Sequence, residues 1–257
     1  MPFLSENDFS GSYQACGSRT SVGGQATYEG KILFTNMPRK HVQGVLAQDL
    51  CLATNKSKTP ELHPVVYLYG HQTNTQWIIR GRTLPVGKDY QELILLIPFV
   101  QRNKSDKWHN YVVIIYLNDK AAQKLGNTYY GYAKHKARFE ETTTDFTVLV
   151  HGRPTFHSTT KTLGPWQPSR AAELTLPNYK NIQTIFEMPV LGVKQGRKKL
   201  TFSCSYFEWE YSSVEVAPIQ SQHRFLHGDT FTSEKDCAIA IRNLRWRITF
   251  PPPKCQF

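Results

Sequence analysis

Thr128-Tyr-Tyr-Gly-Tyr-Ala-Lys-His-Lys-Ala-Arg-Phe139 sets cations inside an aromatic stretch, and the chemistry of interest is that of an amine among rings. In a regular strand side chains alternate, so Tyr130, Tyr132, Lys134 and Lys136 share one face while Gly131, Ala133, His135 and Ala137 take the other. Two readings follow for Lys134. It belongs to a solvated face whose lysine stems cover the rings, or it is a desolvated, reactive amine. A lysine near its reference pKa of about 10.4 is only roughly 0.04% neutral at pH 7, and lowering that value by about four pH units takes about 5.4 kcal/mol. An apolar interior supplies that much and a wet surface does not.

The surrounding sequence is dominated by candidate strands. Runs rich in β-branched and aromatic residues, bounded by turn formers, predict strands at 28–35, 65–69, 75–80, 90–100, 111–117, 129–140, 146–150, 182–190, 199–211 and 238–250. Helix is the minority element. Asn36 as a cap, Pro38 and the spacing of Val42, Val45, Leu46 and Leu50 predict a helix near 38–50. Asn118 as a cap and Gly126 as a stop predict a short one over 119–125. No composition break or long linker divides the chain, so the expectation is a single domain over 1–257 with an irregular segment to about residue 24. The fold class is mainly β, borderline α+β, built as an antiparallel barrel or sandwich with a few short helices.

Four pieces occur in order between residues 63 and 140: His63-Pro-Val-Val-Tyr-Leu-Tyr-Gly70, Tyr90-Gln-Glu-Leu-Ile-Leu-Leu-Ile-Pro-Phe99, Tyr116-Leu-Asn-Asp119 and Gly131-Tyr-Ala-Lys134. In order and spacing they resemble the acetoacetate decarboxylase superfamily, whose Schiff-base lysine follows Gly-Tyr-Pro. The resemblance implies a mostly antiparallel β-barrel, assembled as a homo-oligomer, with Lys134 forming the imine and Glu92 as acid/base partner. Activation of the lysine by desolvation or a neighbouring cation is the known device of acetoacetate decarboxylase itself, so it belongs to the resemblance. The implied activity is that of a cofactor-independent lyase acting on a keto-acid or related carbonyl compound. It proceeds through an iminium and enamine to decarboxylation, or to aldol, dehydration or cyclisation chemistry. Tyr130, Tyr132 and His135 are expected to line or support the site.

Two departures limit the match. Ala133 and His135 stand where the family has proline and a second lysine. Tyr28 falls in the region of the family's carboxylate-binding arginine, so no arginine carries over. Arg80 and Arg82 are the candidates to bind an acid group, against the plainer reading of a surface Arg-Gly-Arg turn. Loss of carboxylate recognition favours a reaction other than decarboxylation.

The chain has 257 residues, 40% of them hydrophobic and 12% aromatic, with a net charge of +11. No apolar run of roughly 18 residues predicts a membrane helix, and no basic-then-apolar start predicts a secretory signal, so cytoplasm is the expected compartment. Cys16, Cys51, Cys204, Cys237 and Cys255 form no C-x-x-C pair and are read as free thiols. The basic runs Lys194–Lys199 and Arg242–Arg247 come with no nucleic-acid-binding motif; the first reads as a hairpin tip and the second as an amphipathic strand. His223 with His227, and His151 with His157, do not sit in helical sequence, so no metal is expected. No G-x-S-x-G elbow, phosphate loop or dinucleotide turn is present. A noncatalytic small-molecule-binding barrel is the alternative, and a basic nucleic-acid-binding protein the weaker one.

Overall fold

The computed structural model describes residues 22–53, 59–80, 82–85, 89–102, 105–176, 178–195, 200–225, 230–232, 238–250 and 255. Val22–Pro38 lies antiparallel between Leu62–Ile79 and Ala238–Phe250. Leu62–Ile79 pairs onward with Tyr90–Arg102, which pairs with His109–Leu117. His109–Leu117 takes two parallel partners, Lys134–Lys136 against Ile115–Leu117 and Val190–Gln195 against Asn110 and Tyr111. On the opposite side Ala238–Phe250 pairs with Phe207–Glu210 and with the start of Glu215–Phe225. That last strand then crosses to a second group, where it pairs with Arg153–Thr162 and, through it, Asp145–Val150. The fold is mainly β with a few short helices.

Apolar side chains cover both faces of the central strands. From His63 to Gly70 every residue is buried. Tyr67 and Tyr69 pack with Leu93, Phe146, Val148 and Phe156 between the two strand groups. Val66 and Leu68 point the other way, toward Leu96, Val112 and the helix Tyr179–Glu187 through Ile182, Ile185 and Phe186. A strand buried on both sides gains nothing from a polar face, which accounts for the uninterrupted apolar run Leu93–Val100.

Several sequence expectations require correction. The candidate strands 65–69 and 75–80 are one strand, Leu62–Ile79. The helix expected near 38–50 is only Arg39–Gly44, because Leu50–Leu52 extends to pair with Tyr90–Arg102. The candidate strand 182–190 is helix over Tyr179–Glu187, whose buried Tyr179, Ile182, Ile185 and Phe186 recur at helical spacing. Strands Arg153–Thr162, Val190–Gln195 and Glu215–Phe225 and the helix Ser169–Thr175 had not been expected. Cys204 and Cys255 form a disulfide, against their reading as free thiols, while Cys51 is free. Cys16, Cys237, His227 and the stretch before Val22 lie outside the described residues.

In the Arg242–Arg247 run, Leu244 and Ile248 are buried while Arg245 and Arg247 are exposed, as alternation predicts. Arg242 bonds Glu215 at 2.7 Å and stacks on Trp166 at 4.5 Å, and Arg245 lies 3.7 Å from Glu210. Among the described residues no helix is long and apolar enough to cross a membrane, and no cluster of three acidic, histidine or cysteine side chains could hold a metal ion.

Candidate active site

Lys134 is positioned by its own backbone. The helix Lys120–Leu125 is capped by Asp119, whose carboxylate accepts from Ala122 N–H at 2.6 Å. Gly126 does not stop it, as the sequence suggests; the chain continues as a π-turn over Gly126–Tyr130 and ends at Gly131 with φ 69°. Residues 129–133 are therefore not strand; of the strand expected over 129–140, Lys134–Lys136 and the start of Arg138–Glu141 are. The Asn127 side chain grips the Lys134 peptide from both sides. Its Oδ1 accepts from Lys134 N–H at 2.8 Å and its Nδ2 donates to Lys134 C=O at 3.0 Å, where Gln123 Nε2 donates as well at 3.2 Å.

Gly126 matters for a different reason. A Cβ there would overlap the Cδ and Cε of Lys134, so the bare glycine is the wall along which the lysine stem lies. Its φ of −58° and ψ of −46° are helical and suit alanine. Gly126→Ala is expected to keep or raise the unfolding midpoint, since alanine is favoured over glycine in a helix by about 1 kcal/mol. It should lower the rate of covalent labelling at Lys134 by about 10²-fold through displacement of the amine. Parallel thermal melts and labelling kinetics check both halves.

Glu92 comes from the same sheet, on Tyr90–Arg102, which pairs with the other side of His109–Leu117. It is on the same face of Tyr90–Arg102 as Ile94 and Leu96, pairs across to Gly70, and is 3% exposed. Gln72 donates from Nε2 to Glu92 Oε1 at 2.6 Å, and Trp246 donates from Nε1 to Gln72 Oε1 at 2.8 Å. This relay from Trp246 through Gln72 fixes the carboxyl. It joins three strands, one of which is 174 residues from Gln72.

Lys134 and Glu92 both line one cavity of about 210 Å³, together with Tyr130 and Tyr132. Although the residue as a whole is partly exposed, the ammonium of Lys134 is enclosed. Burial lowers its pKa below the ordinary 10.5, opposed by the nearby carboxylates of Glu92 and Asp119. Burial likewise raises the Glu92 carboxyl above its ordinary 4.5, opposed by Lys134 and the Gln72 hydrogen bond. The two displacements share one physical origin. Moving a single proton from the ammonium to the carboxyl removes both charges from the low-dielectric interior, leaving a neutral amine near a neutral acid.

Aromatic rings form much of the rest. Tyr130 and Tyr132 stack at 5.6 Å between centroids. Phe186, Trp209, Phe207 and Trp246 make a continuous ladder with successive separations of 4.9, 5.3 and 5.5 Å.

Of the residues picked from sequence, Lys134, Glu92, Tyr130 and Tyr132 meet at the cavity. His135, Arg80 and Arg82 are not brought there. His135 is exposed and its ring lies 6.0 Å from Tyr116, while Arg80 and Arg82 sit exposed where Leu62–Ile79 turns back into Arg82–Pro85. Sequence reasoning missed Gln72, Trp246 and Asn127. Gln72, two residues past the Gly70 motif on the same strand face, carried the one local signal.

No family model matches the chain, and no curated protein matches it in sequence. Solved structures do. An acetoacetate decarboxylase from Legionella pneumophila superposes with a TM-score of 0.56 at 10% identity, covering 98% of this chain and 94% of that one. An acetoacetate decarboxylase-like enzyme from Sphingomonas wittichii RW1 gives 0.57 at 10% identity, covering 94% and 98%. The enduracididine biosynthesis enzyme MppR, solved with the condensation product of pyruvate and imidazole 4-carboxaldehyde, gives 0.55 at 10% identity, covering 92% and 89%. Over nearly its whole length this chain has the acetoacetate decarboxylase-like fold.

Proposed function

We propose that the protein is a Schiff-base-forming lyase in which Lys134 Nζ is the nucleophile and Glu92 the proton carrier. The observation that carries the reading is the convergence of the Lys134 amine and the Glu92 carboxyl on a single largely apolar cavity, with burial driving both toward their neutral forms. Perturbed groups converging on a largely apolar pocket are the signature of a reactive site. The fold shared with acetoacetate decarboxylase-like enzymes agrees with it.

Neutral Lys134 adds to a carbonyl carbon. Glu92 gives its proton to the resulting hydroxyl, which leaves as water, and a positively charged iminium remains. The iminium draws the electron pair of a bond at the neighbouring carbon onto nitrogen, giving an enamine. In this reading the Glu92 carboxylate takes or returns the proton. Tyr130 and Tyr132 exclude water and so preserve the neutral amine.

Borohydride reduction in the presence of acetone, followed by peptide mapping, tests the reading. Reduction converts the imine to a stable secondary amine, and the isopropyl adduct is expected on the peptide carrying Lys134. A folded protein that accumulates no adduct at Lys134 is instead a noncatalytic binding barrel. Nucleic-acid binding has less support, because Arg242 and Arg245 are engaged by Glu215 and Glu210.

A further inference from the structure

The cavity lining carries information about the substrate beyond the imine. Among the described residues, Lys134 is the one cation that lines it, while Glu92 and Asp119 contribute two carboxyl groups. Arg80 and Arg82 are elsewhere, and the position expected to hold a carboxylate-binding arginine is Tyr28, which also lines the cavity. A substrate carboxylate carried into this interior would be desolvated with no guanidinium to receive it, and would face Asp119 near the lysine.

The shape is equally informative. Lys134 pairs with Ile115, and Asn110, five residues earlier on the same strand, also lines the cavity. At roughly 3.3 Å per residue the two ends are about 16 Å apart. The wall along that length includes the ladder Phe186–Trp209–Phe207–Trp246. An apolar cavity of about 150 Å³ holds a benzene ring. The 210 Å³ here has room for one ring and a short chain ending in a carbonyl group at Lys134.

We infer that the ligand is an uncharged ketone or aldehyde bearing an aromatic ring, and that keto-acids are discriminated against. The inference rests on the imine reading for its carbonyl group and on the lining alone for the ring and the absence of charge. With no substrate carboxylate, the bond broken next to the iminium is to hydrogen or carbon, with its electron pair passing to the iminium nitrogen. Carbon dioxide is not released.

Benzylacetone and benzylpyruvate carry the same ring and chain and differ by the carboxylate beside the carbonyl. With the full chain and borohydride, benzylacetone is expected to label Lys134 at least tenfold faster at equal concentration. A keto-acid carbonyl is intrinsically the more electrophilic, so that preference has to come from the site. Equal or faster labelling by benzylpyruvate overturns the inference while leaving the imine reading intact. Gln25→Arg, which adds a guanidinium to the lining, is expected to shift the ratio at least threefold toward benzylpyruvate, and an unmoved ratio overturns the charge argument.

The alcohol obtained by reducing benzylacetone cannot form an imine. A saturable change in tryptophan emission on its addition, expected because it displaces water beside Trp77, Trp209 and Trp246 in the cavity wall, reads the ligand class separately. Saturable binding without any ketone adduct refutes the imine reading alone. Acetone labelling without saturable binding of the alcohol refutes the ligand class alone.

Discussion

Lys134→Met is expected to abolish covalent labelling and to lower turnover of any carbonyl substrate by at least about 10³-fold, the scale on which removal of a nucleophile acts. The fold should survive. Methionine is unbranched, of similar volume and content in an apolar wall, and it removes a group whose charged form is costly to bury. The sign of the stability change with pH follows from the direction of the shift. Burial places the folded-state pKa of Lys134 below the ordinary 10.5, so between those values the unfolded chain binds more protons and wild-type stability rises with pH. The raised Glu92 contributes the opposite slope, between the ordinary 4.5 and its folded value, over a wider range in the variant, where Lys134 no longer opposes the shift; this also takes stability from the variant as pH rises. The stability advantage of Lys134→Met over wild type is therefore expected to be largest in acidic buffer and to shrink as pH approaches the ordinary lysine value. Urea midpoints across pH read it. An advantage that grows with pH would mean the amine is not desolvated.

Glu92→Gln carries the second large effect. The amide oxygen still accepts from Gln72 Nε2, so the relay from Trp246 keeps its geometry while the transferable proton is lost. Loss of a positioned acid/base costs about 10²–10⁴-fold, and that loss is expected in the labelling rate. The wild-type rate should rise with pH as the Lys134 amine loses its proton and fall as the Glu92 carboxyl loses its own. Burial moves these limbs to lower pH than an ordinary lysine and to higher pH than an ordinary carboxylate. An amide has no proton to lose there, so Glu92→Gln should lack the alkaline fall. A pH profile of the variant that keeps it would assign that limb to another group.

Much of this arrangement is local and therefore legible in the chain. The alternation in Arg242–Arg247 reports a strand with one wet face, and the apolar, largely buried run Leu93–Val100 reports a strand covered on both. Gly131-Tyr-Ala-Lys134 and Tyr90-Gln-Glu92 put the amine and the carboxyl in recognisable contexts. Where two local signals compete, the reading fails. Ile182, Ile185 and Phe186 are strand-favouring residue types, yet they share one helical face, and packing over the cavity selected the helix. Between Gly126 and Gly131 aromatic content suggested a strand, but a π-turn closed by a left-handed glycine took its place.

What the chain alone determined is the composition of its strands and the chemical types at 92 and 134, because periodicity and side-chain identity are properties of short segments. Whether that amine is wet or dry was decided by the tertiary structure. Its environment is assembled from residues far away along the chain: Glu92 reaches it from two strands over in the same sheet, and Trp246 holds Gln72 across a separation of 174 residues. The same holds for the disulfide between Cys204 and Cys255, for the exposure of His135, and for the cavity wall. Desolvation is a sum over neighbours, and the neighbours exist only once the chain has closed around them.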